Sequence, residues 1–145
     1  MRAVVQRVKS ARLICDEKVV SETGFGLVVF LGVKAGDDRS KAETLAKKIC
    51  ALRIFADENG KSNLSVKDVG GEILAVSQFT LLGDVSRGNR PSFTDAEKPD
   101  AANETYEFFL EKLKENGVEP KKGVFGGDMT VYQVNDGPYT IIYDI

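Results

Sequence analysis

The order of apolar and polar residues predicts several strands in this chain. Residues 2–8 (RAVVQRV) and 72–79 (EILAVSQF) are rich in the β-branched and other apolar residues that strands favour. Residues 26–33 (GLVVFLGV) form a continuous apolar run, which is typical of a central strand buried on both faces. Residues 11–14 and 19–22 flank the polar sequence DEK and predict a hairpin.

Two segments have the period of a helix instead. After Gly36, Asp37 and Asp38, apolar residues recur three and four positions apart, and an aspartate can cap the start of the helix. The apolar face of this first helix consists of Ala42, Leu45, Ala46, Ile49 and Leu52. A second helix is predicted over residues 101–116, with Gly117 as its stop signal. Its apolar face consists of Tyr106, Phe109, Leu110 and Leu113.

The remaining segments are shorter or less regular. A short strand is predicted at residues 54–55, and residues 81–99 form a long irregular segment of the kind that is often functional. Residues 129–134 and 139–143 predict two strands around a tight turn. The whole pattern predicts one α/β domain over residues 1–145, with a mostly antiparallel curved sheet or barrel and two helices packed on it.

Composition removes several kinds of chemistry. The chain of 145 residues has no histidine, so a Ser-His-Asp or Cys-His triad is impossible. Cys15 and Cys50 lie among apolar neighbours and belong to no CxxC pair, which favours buried reduced thiols over a disulfide or a metal site. We therefore expect neither a metal nor a cofactor.

Charge and hydropathy indicate a cytoplasmic protein. The first ten residues lack the apolar run of a signal peptide, and the most apolar stretch, residues 27–33, is too short to span a membrane. The net charge of −2 argues weakly against a nucleic-acid ligand. Candidate basic patches are residues 87–90 (RGNR) and the pair Lys121 and Lys122, although ordinary surface charge accounts for each of them.

One segment offers groups for a reaction at the end of a predicted strand. Ser77, Gln78, Phe79 and Thr80 supply an amide, a ring and two hydroxyls, and the amide together with backbone N–H groups could stabilise an oxyanion. In the simpler interpretation the hydroxyls satisfy turn groups and Phe79 lies in the core. The spacing alone favours the simpler interpretation.

Two further segments contain glycines in polar surroundings. Residues 135–138 (NDGP) are typical of a turn, but a cis bond before the proline would direct two carbonyl groups the same way, and they could grip an amine. In residues 123–129 (GVFGGDM) the glycines admit a close ligand, and Phe125 and Met129 could line a nucleobase pocket. A bulge with core side chains explains the second segment equally well.

Taken together, these segments resemble the D-aminoacyl-tRNA deacylase family over essentially the whole chain. The resemblance lies in the order and spacing of RAVVQRV, LRIFADENGKSNLS, VGGEILAVSQFTLLGDVSRGNRPSF, GVFGGDM and NDGPYT. It implies a homodimeric hydrolase with active sites at the subunit interface, which edits D-aminoacyl-tRNA and mischarged glycyl-tRNA. Such an enzyme would recognise the acceptor end of tRNA and bind neither DNA nor a membrane.

The resemblance also assigns residues to an ester site, an adenosine pocket and a chiral gate. The ester site would be formed by Ser77, Gln78, Phe79 and Thr80. The terminal adenosine would contact Phe125 and Met129. The gate would consist of Asn135, Gly137, Pro138 and Thr140, fixed by Arg7. Its two carbonyls would enter the partner's active site, hold the substrate amine and exclude an L side chain. Tyr139 stands where the family commonly has valine, which changes the packing behind the gate.

Two mechanisms are open for such an ester hydrolysis. The 2′-hydroxyl of the terminal ribose could attack or activate water, while the protein supplies position and oxyanion stabilisation. Alternatively Thr80 could be the nucleophile, which ranks lower because a threonine needs an adjacent base.

Three other functions compete with this interpretation. A related deacylase with a trans Gly-Pro bond edits L-amino acids, but its motif begins with proline-glutamine rather than Ser77 and Gln78. A binding module for the tRNA end would share the fold without turnover. An acid–base hydrolase would use carboxylates such as Asp84, Asp95 or Asp128, yet no pair of them has a convincing spacing.

Overall fold

The computed structural model describes residues 1–145 as eight strands, two α-helices and one short 3-10 helix. The strands are β1 (Arg2–Cys15), β2 (Lys18–Thr23), β3 (Gly26–Gly32), β4 (Phe55–Ala56), β5 (Ser62–Leu64), β6 (Glu72–Ser77), β7 (Pro120–Lys122) and β8 (Met129–Asp144). The helices are α1 (Arg39–Cys50) and α2 (Pro99–Glu115), and the 3-10 helix is Phe79–Leu82.

The main sheet is built around the long strand β1. One edge of β1 pairs antiparallel with β8, and the other edge pairs antiparallel with β3 and then with β2. From β3 the sheet continues through the parallel strands β6 and β7. The Ser21 hydroxyl donates a hydrogen bond of 2.6 Å to the Lys122 carbonyl, so that β2 meets β7 and the sheet is nearly closed. The predicted curved, mostly antiparallel sheet with two helices is confirmed.

Both helices form where the apolar period predicts them. Asp38 caps α1, because its side chain accepts a hydrogen bond from the Lys41 N–H at 3.1 Å. Helix α2 begins slightly earlier than predicted, at Pro99, since proline suits the first turn of a helix. The apolar faces of both helices are buried against the sheet in one large core cluster. Tyr106 is part of this core, and its hydroxyl donates to the Ala75 carbonyl at 2.9 Å.

The predicted pair of strands around a turn near the C-terminus is wrong. Residues 129–144 form one strand, β8, which pairs with β1 along its whole length. The register shifts opposite Arg7 and Lys9, so residues 136–139 bulge from the strand without reversing the chain. A turn-like composition therefore marks a bulge here. The two segments predicted before residue 15 are likewise one strand, β1.

No helix in the structure combines the length and the apolar character that crossing a bilayer requires.

A buried carboxylate ties the start of the chain to the loop before α1. Asp37 is 1% exposed, lies 2.6 Å from the Met1 ammonium and 2.8 Å from Lys41 Nζ, and accepts from the Lys34 N–H. Burial raises the pKa of a carboxyl, but these hydrogen bonds outweigh it and hold the pKa of Asp37 below its usual 3.8.

We expect Asp37→Ala to lower the free energy of unfolding by about 3–5 kcal/mol at pH 7, because it leaves a buried ammonium unpaired. The contribution of Asp37 is present above pH 3.8 and is lost as the pH falls through its lower native pKa. Denaturant unfolding at pH 7 and at low pH checks this, and the difference between wild type and variant should narrow in acid. Glu58→Gln, which alters an exposed carboxylate without an ion pair, should have little effect at either pH.

Candidate active site

A cavity of about 690 Å³ opens where β6 ends. Its walls come from the end of β6, the start of the 3-10 helix, the start of α2 and the segment that leads into β8. The predicted site residues that line it are Ser77, Gln78, Phe79, Phe125 and Met129. The structure therefore joins the predicted ester site and the predicted adenosine pocket in one cavity.

The predicted ester-site segment is held by hydrogen bonds at the strand end. The Gln78 N–H donates to the Leu31 carbonyl at 2.7 Å, which continues the pairing of β6 with β3. The Gln78 side-chain amide donates to the Thr80 hydroxyl, and Thr80 itself is exposed and outside the cavity wall. Phe79 is 55% exposed and lies edge-on to Phe93, with 5.0 Å between ring centroids. The simpler interpretation of Phe79 as a core residue is thus wrong.

The opposite wall is apolar and closely packed. Phe125 is half-buried beside Tyr106, and the Met129 sulfur accepts from the Val124 N–H at 3.4 Å. A Cβ at Gly123 would lie 2.8 Å from that sulfur, so any larger residue there would make the Met129 side chain move. The wall presents a ring and a thioether, which are suitable for contact with a flat aromatic ligand.

The remaining predicted residues form a second group on β8 and β1. Arg7 lies 2.9 Å from an Asp136 carboxylate oxygen and 4.9 Å from the Tyr139 ring centroid, and it donates to the Ile54 carbonyl. The bond between Gly137 and Pro138 is cis, and both residues are exposed. Arg7 therefore fixes this exposed segment from both sides. Tyr139 provides one of the contacts.

Asn135 and Thr140 flank the same segment. Asn135 is the β-partner of Val8, and Thr140 is the partner of Gln6, whose side-chain amide donates to the Thr140 hydroxyl at 3.3 Å. Both residues are exposed. They mark where the regular pairing of β8 with β1 stops and resumes.

The two groups do not share a cavity within one chain. Met129 and Val131 line the cavity at the start of β8, and none of Arg7, Asn135, Gly137, Pro138 or Thr140 does. A strand advances about 3.3 Å per residue, so the six steps from Val131 to Gly137 span about 20 Å. The Gly137 segment consequently does not line the cavity of its own chain.

Sequence reasoning missed part of the cavity wall. Phe93, Lys98, Pro99 and Ala102 also line it. The only signal was the length of the irregular segment over residues 81–99, because neither a motif nor a period marks these positions.

The carboxylates considered for acid–base chemistry are dispersed. Of the three, only Asp128 lines the cavity, whereas Asp84 and Asp95 lie at another depression beside Arg2 and Lys34. The hydrogen bond from the Ser86 N–H holds the pKa of Asp84 below its usual range. These positions provide no paired acid and base.

The other carboxylate at the cavity, Glu97, already accepts hydrogen bonds from the backbone. Glu97 accepts from the backbone N–H groups of Lys98 and Gly36, and these bonds lower its pKa. It is therefore an unsuitable proton donor near neutral pH. No group of three histidine, cysteine or acidic side chains is placed to hold a metal ion.

Comparison with known proteins gives a consistent result over the full length. A family model described as D-Tyr-tRNA(Tyr) deacylase matches residues 4–144. A D-aminoacyl-tRNA deacylase of Thermotoga petrophila is 54% identical over 144 residues, covering 99% of this chain and 97% of that protein. One of Carboxydothermus hydrogenoformans is 53% identical over 145 residues, covering all of both chains.

Two solved structures share the fold of this chain. A protein described as c-Myc DNA Unwinding Element Binding Protein superposes with a TM-score of 0.95 and 41% identity, covering 100% of this chain and 99% of its own. A probable eukaryotic D-amino acid tRNA deacylase superposes with a TM-score of 0.85 over 99% of this chain and 98% of its own. At 18% identity, the second comparison establishes the fold alone.

Proposed function

This chain belongs to the D-Tyr-tRNA(Tyr) deacylase family, and on that premise we propose that it hydrolyses the ester of D-aminoacyl-tRNA to free D-amino acid and tRNA. The observation that carries the proposal is that one cavity is lined by Gln78 on one side and by Phe125 and Met129 on the other. The terminal adenosine would lie against the apolar wall, which brings the ester toward the end of β6. Such a substrate places the enzyme in the cytoplasm.

The end of β6 supplies groups suited to the reaction. The first N–H groups of a helix lack partners within it, and the 3-10 helix begins here at Phe79. Together with the Gln78 amide they would stabilise the oxyanion that forms when the ester carbonyl is attacked. Ser77, at the cavity wall, would help to position the ester.

Activation of water is assigned to the substrate rather than to a side chain. The chain contains no histidine, and the Thr80 hydroxyl is hydrogen-bonded to the Gln78 amide rather than to a base. A threonine without a base is a weak nucleophile. The neighbouring 2′-hydroxyl of the ribose is therefore the better candidate to activate and orient the water that attacks the ester carbonyl. The bond to the ribose 3′-oxygen then breaks, which releases the free amino acid and the tRNA.

Selectivity for D-amino acids is assigned to a second copy of the chain. The Gly137 and Pro138 segment is exposed, is fixed by Arg7 and lies about 20 Å along β8 from its own cavity. It would enter the cavity of a partner, where its carbonyls hold the substrate amine. A D side chain and the hydrogen of glycine would fit, and an L side chain would collide.

The outer edge of β8 supports such a homodimer. β8 pairs only with β1, so its other edge has no strand partner over 16 residues. Tyr132, Val134 and Ile142 on this strand are each more than half exposed. A long unpaired edge strand is a ready template for pairing with another chain. A two-fold dimer would contain two equivalent sites.

The test is deacylation of D-tyrosyl-, L-tyrosyl- and glycyl-tRNA by the purified protein, with no metal added. We expect hydrolysis of the D and glycyl esters, while the L ester decays only at its spontaneous rate. Preferred hydrolysis of the L ester would indicate the related L-editing class. Survival of all three esters with a folded dimer would instead indicate a binding module.

A further inference from the structure

The segment after the 3-10 helix forms a projecting hairpin with two arginines. Asp84 and Ser92 pair through two backbone hydrogen bonds of 2.8 and 2.9 Å, and the Asp84 side chain caps the Ser86 N–H at 2.8 Å. We call residues 84–92 the arginine hairpin, because Arg87 and Arg90 lie at its exposed end. Its backbone is thus internally bonded, and its side chains face solvent.

The charges of these arginines are not used within the chain. Neither Arg87 nor Arg90 has a carboxylate within 4.0 Å, and neither side chain makes a hydrogen bond to the protein. The other basic patch of the sequence differs: Lys121 is 2.8 Å from Glu72, and Lys122 is 2.9 Å from Glu107. Of the two patches, only the arginine hairpin offers free positive charge.

The hairpin is attached directly to the active-site wall. Phe93, which follows it, lines the cavity and packs edge-on against Phe79. Gly83, which precedes it, lies so close to Phe93 that a Cβ would be 3.0 Å from the ring. Lys98, at the rim of the same cavity, also makes no ion pair. Positive charges without an ion pair therefore occur both at the cavity rim, on Lys98, and at the end of the hairpin, on Arg87 and Arg90.

We propose that Arg87 and Arg90 bind phosphates of the single-stranded acceptor end of tRNA, next to the terminal adenosine. This inference rests on the binding part of the proposed function, because it needs that adenosine to occupy the cavity, but it does not need turnover. The guanidinium group forms paired hydrogen bonds with phosphate oxygens, which suits this role. It also explains how a chain of net charge −2 attracts a polyanion, namely by local charge beside the site.

The experiment measures binding, so that it does not depend on turnover. The probe is an acceptor-stem RNA ending in CCA and carrying D-tyrosine through a 3′-amide bond that cannot be hydrolysed. The comparison ligand is D-tyrosine linked by an amide to 3′-amino-adenosine, which has no phosphate. Proteins tested are wild type, Arg87→Ala/Arg90→Ala and Arg87→Lys/Arg90→Lys.

A charge-matched control is available on α1. Lys47→Ala/Lys48→Ala also removes two exposed charges that make no ion pair. These lysines lie near Cys50, whose thiol contacts the Leu113 carbonyl toward the far end of α2 from the cavity. This control shows whether a loss of RNA affinity comes from contacts made by Arg87 and Arg90 or from the lower positive charge of the protein as a whole.

We expect the double alanine variant to bind the RNA probe more weakly and the lysine variant to retain most of the affinity. Each phosphate contact to a single strand contributes about 0.7 to the slope of log affinity against log salt, so the slope should fall by about 1.4. The ratio of wild-type to variant RNA affinity should then be about sevenfold smaller at about 200 mM salt than at about 50 mM salt. The adenosine conjugate should bind all the proteins alike.

Equal RNA affinity and salt slope in wild type and the double alanine variant would overturn the proposal. So would an equal deficit in the Lys47 and Lys48 control, or absence of RNA binding by wild type. A parallel assay with D-tyrosyl-tRNA ester keeps the proposed function separate. If wild type binds the probe through the arginines and leaves the ester intact, the function fails while this inference stands.

Discussion

Gln78→Ala is expected to lower kcat for D-tyrosyl-tRNA by about 100- to 1,000-fold, the usual cost of losing one oxyanion donor. Gln78 is the only amide side chain on the cavity wall, and the pairing of β6 with β3 fixes its backbone. The KM should change little, because the oxyanion exists only in the transition state. Steady-state deacylation over a range of D-tyrosyl-tRNA concentrations measures both quantities, and circular dichroism checks the fold.

Substitutions of Thr80 then separate the two mechanisms. If the ribose 2′-hydroxyl is the reactive group, Thr80→Val should lose only about tenfold, through poorer orientation of the Gln78 amide that now bonds to it. Thr80→Ser, which keeps the hydroxyl, should remain close to wild type. Nearly complete loss in Thr80→Val together with full activity in Thr80→Ser would contradict substrate assistance and favour a threonine nucleophile.

Much of the fold follows from local patterns. Helices α1 and α2 have regular apolar faces, and β3 is a continuous apolar run. Many residues contribute to each pattern, so the predicted element does not depend on any one of them. The composition of residues 135–138 led to the wrong prediction of a turn, because it suits both a turn and a bulge. Only the long pairing of β1 with β8 decides between them, and that pairing is a tertiary property.

The candidate site was predictable only in part for a similar reason. Ser77, Gln78, Phe125 and Met129 occur in recognisable segments, but their meeting in one cavity depends on how β6 and β8 are arranged. The cavity wall near Pro99 comes from the packing of α2, which no local pattern indicates. The separation of the Gly137 segment from the cavity, about 20 Å along the strand, likewise becomes visible only when β8 is known to be one strand.

The distance between the Gly137 segment and its own cavity leads to a second prediction: variants that are inactive as homodimers should recover activity in mixed dimers. Gly137 has a φ of +123°, and a Cβ there would lie 2.8 Å from the Tyr139 nitrogen, so Gly137→Ala must displace the segment. A displacement of about 1 Å in a positioning group can cost about 100-fold in rate. Homodimers of Gly137→Ala should therefore be nearly inactive toward D-tyrosyl-tRNA.

Mixing this variant with Gln78→Ala should restore activity. If the site combines the Gln78 of one chain with the Gly137 segment of another, each mixed dimer contains one site in which both are intact. Random exchange makes half of the dimers mixed, so the activity should recover to about a quarter of wild type. If each cavity instead used its own Gly137 segment, every site would carry one defect, and the mixture would stay as inactive as its components.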